Sequence, residues 1–163
     1  MGSTDKNVVP SLGMVYPGLE QKSGSIGRGT LGSQTSVSVR LGPAKLIDNT
    51  TYKIGLFVAP VDNCYIVDAW LTSVVPAAGG TNTLAISNYD KSATTARNVL
   101  STTNIDPTVL TLNQGLQLTL STTVASLMMD QGDLLNCTLV TGNPMTTDGE
   151  GYVLTVVINV PNE

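Results

Sequence analysis

The chain contains no histidine among its 163 residues, and only 12% of them are charged. Without histidine there is no Ser-His-Asp or Cys-His catalytic arrangement and no His-ligated zinc site. Aromatic residues are scarce: one tryptophan, five tyrosines and one phenylalanine. An acidic balance, formal net charge −4, with so few aromatics disfavours nucleic-acid binding. No run approaches the ~18 apolar residues of a membrane span, and MGSTDKNVVP has no apolar core of the kind a secretory peptide carries. Met1-Gly2 opens like a myristoylation signal, but Lys6 stands where Ser or Thr is required. The two cysteines, Cys64 and Cys137, lie far apart in strand-like runs without a CxxC spacing. They read as buried free thiols rather than a disulfide, which fits assembly in a reducing place such as a host cytoplasm.

What is present divides into two parts. Residues 1–45 hold eight of the 16 glycines, with Pro10, Pro17 and Pro43. The stretch KSGSIGRGTLGSQTS is loop chemistry, since glycine costs most entropy to order and serine competes for backbone hydrogen bonds. Five cations against two acids give this part +3, whereas residues 46–163 carry three cations against ten acids, −7. A basic, glycine-rich arm on an acidic body is the pattern of an interaction tail. Apolar stations at Val8, Val9, Leu12, Val15, Tyr16 and Leu19, with Lys22 and Arg28, are the expected partner contacts of that arm.

Residues 46–163 read as β throughout. Alternation is clean in Lys53–Val58, with Ile54, Leu56 and Val58 expected on one face. Further strands are predicted at Val37–Leu41, Tyr65–Val75, Thr83–Ser87, Leu116–Ser121, Leu134–Val140 and Tyr152–Val160, and a weaker one near Asn98–Ser101. Turn-formers separate them, and the chain's 22 threonines, 19 of them in this part, suit a pleated, half-buried surface. Only Thr122–Met129 has room for a helical turn. Some eight strands without intervening helices predict an all-β antiparallel sandwich or jelly roll with an extended N-terminal arm.

Chemistry is sparse. Asp148-Gly149-Glu150 and Asp130-Gln131-Gly132-Asp133 are the best cation-like loops, but neither has the oxygen count or spacing that calcium needs, and both read as turns. Asp62, Asp68, Asp90 and Asp106 do not pair into an acid and a base by sequence. Gly24-Ser25-Ile26-Gly27-Arg28-Gly29 lacks the strand and helix context of a phosphate loop. Trp70 offers a sugar-stacking face, or else a core or interface anchor. The expectation is a protein that is not an enzyme and has no cofactor or metal.

The run Tyr52–Trp70, TYKIGLFVAPVDNCYIVDAW from Thr51, resembles the decoration (cement) proteins of tailed-phage capsids. In that family a strand ends in an apolar-Pro-x-Asp-Gly turn and feeds a long strand; here Asn63-Cys64 stands at the turn. Ala77–Ile86 is similar to the family's Ala-rich turn and following strand, and Met129–Leu135 to its Gly-Asp entry to a late strand. The resemblance covers about residues 50–160. It implies a jelly roll with a non-enzymatic role on the outer surface of the virion, often as trimers where major capsid subunits meet. The expected partners are thus the major capsid protein and further copies of the chain, with no nucleic acid and no membrane. The rival reading is a receptor- or carbohydrate-binding sandwich of a viral fibre or surface appendage.

Overall fold

The computed structural model describes residues 33–161, apart from positions 94 and 113. Among the described residues nine strands carry the fold: β1 (Ser33–Arg40), β2 (Thr51–Val58), β3 (Cys64–Thr72), β4 (Thr83–Tyr89), β5 (Ala96–Asn98), β6 (Leu116–Gln117), β7 (Met128–Met129), β8 (Leu134–Val140) and β9 (Val153–Val160). Helical structure among the described residues is limited to a 3-10 turn at Pro107–Val109 and the single turn α1, Val124–Leu127. The first sheet runs β1-β9-β3-β6, with β7 also on β3; the second runs β2-β8-β4-β5. β6 pairs with Trp70 and Leu71, and β7 with Cys64 and Tyr65, so the two act as one interrupted edge strand. Counted that way, the sheets read 1-8-3-6 and 2-7-4-5. This is an antiparallel β-sandwich with the jelly-roll strand order.

β1 lies inside the segment 1–45 that the sequence assigns to the arm, and Leu41 is fully buried. Leu41 N–H donates to Tyr152 O at 2.9 Å, and Ser38 Oγ lies 2.8 Å from Thr155 Oγ1, which tie β1 along β9.

The core forms where period-two apolar residues of the two sheets meet. Leu154, Val156 and Ile158 of β9 face inward, as do Leu135, Cys137 and Leu139 of β8 and Leu84 and Ile86 of β4. Both cysteines are buried and free, as the sequence predicts, and burial pushes the Cys137 thiol up to about 12.

Two bulges break the alternation. In β2 the register shifts between Gly55 and Phe57, so Leu56 is an extra residue. Leu56 is buried, but Val58 is 59% exposed, which corrects the expectation that it shares a face with Ile54 and Leu56. In β3 the shift lies between Ile66 and Asp68, with Val67 unpaired. Cys64 and Ile66 point into the core before the bulge, Ala69 and Leu71 after it. The turn between these strands also differs from the Asp-Gly pattern that the resemblance implies. Asn63 takes φ +60°, the conformation a glycine would supply, while Cys64 already starts β3.

Candidate functional site

The charges are sorted by position. Among the described residues, Asp68 is the one acid within a strand; the others lie in the loops at the two ends of the sandwich. Arg40, Lys53 and Arg97 are the cations in strands. The outward positions of β1 are Gln34, Ser36, Ser38 and Arg40, and those of β9 include Thr155 and Val157. The sheet faces are therefore made mostly of hydroxyls, amides and aliphatic groups, with few charges among them. On the second sheet, Val58, Leu134 and Tyr89 stand directly across from one another at 59%, 37% and 36% exposure. They make an apolar row across three strands.

On the first sheet the outward face centres on Trp70, 38% exposed and paired with Thr155 on one side and Gln117 on the other. Its indole N–H donates to Asp68 Oδ2 at 2.8 Å. Gln117 Nε2 lies 3.0 Å from Asp68 Oδ1 and 3.1 Å from Oδ2, and Ala69 N–H donates to Oδ1 at 2.8 Å. These donors, the Gln117 amide foremost, hold the Asp68 carboxyl below its ordinary range. At the other end of the ring, Gly115 places no side chain against Cε3 and Cζ3. The indole is thus laid between a fixed carboxylate and a glycine.

The loop carboxylates serve the fold. Asp133, 2% exposed, accepts from Lys91 N–H at 3.0 Å and from Asp130 N–H at 2.9 Å, closing the turn before β8. Asp62 accepts from Gln131 N–H, Asp106 caps the 3-10 turn through Thr108 N–H, and Asp90 pairs with Arg97 at 2.9 Å. Asp148 forms an ion pair with Lys45 at 3.0 Å, which raises the lysine above its ordinary value. Among the described residues no three Asp, Glu or Cys side chains converge as metal ligands. The opposite loop end is gathered around Tyr152, fully buried, whose hydroxyl accepts from Ala77 N–H at 2.7 Å and donates to Pro107 O at 3.4 Å.

The predicted arm contacts, Val8, Val9, Leu12, Val15, Tyr16, Leu19, Lys22 and Arg28, lie outside the described residues. Trp70 was visible in the sequence, but its partners Asp68 and Gln117 were not, because Gln117 arrives from a distant strand.

No family model matches the chain, and no curated protein does. Among solved structures, it is similar to the structure of infectious bursal disease virus, Gx strain, at 12% identity and a TM-score of 0.36. The Gt strain structure is similar at 16% identity and 0.37. The likeness covers 82% and 80% of this chain, which spans 33% and 32% of the length of those chains. The class assigned here, a jelly-roll β-sandwich, rests on strand order.

Proposed function

We propose that the chain is a structural virion protein that binds the outer surface of a phage capsid and cements neighbouring major capsid subunits. In this reading the N-terminal arm reaches across to partners, and copies of the body associate, as a homotrimer, over the shell. The observation that carries it is the low charge of both sheet faces: among the described residues every acid but Asp68 lies in the end loops, and three cations lie in strands. Faces with little charge lose little solvation when another surface covers them, whereas buried unpaired charges cost several kcal/mol, of order 3–5. The arm adds a sequence argument: its apolar stations cannot form a core alone, and ordering it costs about 1–2 kcal/mol per residue unless a partner surface is supplied.

The test is a pelleting assay with bare capsids, comparing the full chain with one lacking residues 1–32, which leaves β1 intact. The full chain should pellet in many copies per particle by mass spectrometry. The truncation should keep its β circular dichroism and bind far more weakly. Full-strength binding by a folded truncation would move attachment from the arm to a sheet face; a full chain that never pellets would end the capsid reading.

A further inference from the structure

The bulge at Val67 turns Asp68 and Trp70 out of the core together and sets the sole tryptophan on a sheet face of hydroxyls and amides. A solvent-facing tryptophan normally has free χ angles, and binding must freeze them. Here the indole N–H is already fixed on Asp68 Oδ2, and Gln117 holds the carboxylate from the neighbouring strand. Both Asp68 oxygens accept two contacts each, from Ala69, Trp70 and Gln117, so the carboxylate is a brace and leaves no acceptor for a ligand. What stays open is the ring surface, with Thr155 and Thr72 beside it on the same face and Gly115 adding no obstruction.

We propose that this platform binds a neutral glycan, a sugar ring stacking on Trp70 while the surrounding hydroxyl and amide groups meet its hydroxyls. The chemistry favours that class over others. The one acid on β3 is already saturated, so it offers no acceptor to a cationic ligand. A protein hot spot places an anchor in a fully desolvated pocket ringed by apolar contacts. Trp70 instead has Thr155 and Gln117 as its cross-strand neighbours, the polar flank that suits a polyhydroxyl ring. Preorganisation by Asp68 removes the ordering cost that makes single-aromatic sites weak. Asp68 and Gln117 act as positioning residues.

Because Trp70 is the only tryptophan, its emission reports the site directly. The full-length protein is titrated with neutral hexasaccharides of glucose, galactose, mannose and N-acetylglucosamine, to about 10 mM, the weak end of specific affinity. At least one should shift the emission saturably, and saturation-transfer NMR should show its ring protons against the protein. Trp70→Ala, verified as folded by circular dichroism, should weaken the NMR-detected binding about tenfold or more, the worth of a good aromatic stack. Trp70→Phe, which keeps a ring, should fall between the two. Three results overturn the proposal: no sugar responds; binding survives Trp70→Ala undiminished; or the sugars are silent while Trp70→Ala abolishes capsid pelleting, which would make Trp70 a protein anchor. Sugar titration uses the free protein, so its failure is separate from a failure of capsid binding.

Discussion

Tyr152→Phe removes one oxygen atom from the molecule and should be among its costlier conservative changes. The hydroxyl is buried and gathers three segments: the start of β9, the β3–β4 loop through Ala77 N–H at 2.7 Å, and the β5–β6 loop through Pro107 O. Ala77 is itself 2% exposed, so water cannot replace the lost acceptor. Burial pushes the phenol's pKa up, opposed by the Ala77 N–H, which marks the same dry setting. Leaving a buried donor unpaired costs about 1–3 kcal/mol. For a body of about 130 residues, each kcal/mol lowers Tm by roughly 3–5 °C, so a cost in the middle of that range, about 2 kcal/mol, lowers Tm by about 6–10 °C. Tyr52→Phe is the internal control. Its hydroxyl also accepts a backbone N–H, from Ile47 at 3.0 Å, but at an exposed position where water takes over. That variant should lose at most about 1 kcal/mol, roughly 3 °C. Thermal unfolding followed by circular dichroism compares the two. Equal losses, or a smaller loss for Tyr152→Phe, would refute the account of the loop end as held by this hydroxyl.

Other outcomes follow from the same contacts. Asp133→Ala strips acceptors from Lys91 N–H and Asp130 N–H in a buried turn and should cost about 2–4 kcal/mol in urea unfolding, by the rule for charge-assisted bonds; a loss under about 1 kcal/mol would show that the turn is held by its backbone alone. Asp68 is held below 3.8, the ordinary aspartate value, so its ionised form is favoured by the fold and that contribution is lost as pH falls through the lowered value. Trp70 emission should therefore change only in an acid transition whose midpoint lies below the ordinary aspartate range, and Asp68→Asn should abolish the transition; a midpoint within or above that range contradicts the brace. Cys64 and Cys137 should both resist a thiol reagent at pH 8 in the native protein and both react in urea, with reaction of either in the folded state counting against their burial.

Much of the sandwich was legible as period-two alternation. Leu134–Val140 was read to the residue, and the strands now bounded as Thr83–Tyr89 and Val153–Val160 were read to within two. The run Leu116–Ser121 alternates as well, yet only Leu116–Gln117 pairs as a strand. Leu118 N–H still reaches Ala69 O, but Ser101 N–H then donates to Thr119 O and Ser121 N–H to Val99 O. One apolar pattern thus serves two neighbours in succession, and periodicity alone does not say where the chain changes partner. The Trp70 cluster was hidden for a related reason. The tryptophan could be singled out by its rarity, but its partner Gln117 lies 49 residues from Asp68, and only the sheet order brings them together.

Parity decides which side of the sheet a residue occupies, and here it is reset twice by a single extra residue. Counting by twos from the buried Cys64 and Ile66 would send Asp68 and Trp70 into the core, where a carboxylate would be stranded without water. The Val67 bulge exchanges the faces, so that Ala69 and Leu71 fill the core and the Asp68–Trp70 pair faces outward. The Leu56 bulge does the same in β2, delivering Val58 to the outside opposite Leu134. Each bulge therefore creates an outward apolar feature that regular alternation would have buried: an indole on one sheet and an aliphatic row on the other. Bulges bend strands and aim side chains without altering strand order. A jelly roll with sparsely charged faces becomes two distinct surfaces in this way, one braced and aromatic, the other aliphatic, and their separate occupants are what the sugar titration and the capsid assay tell apart.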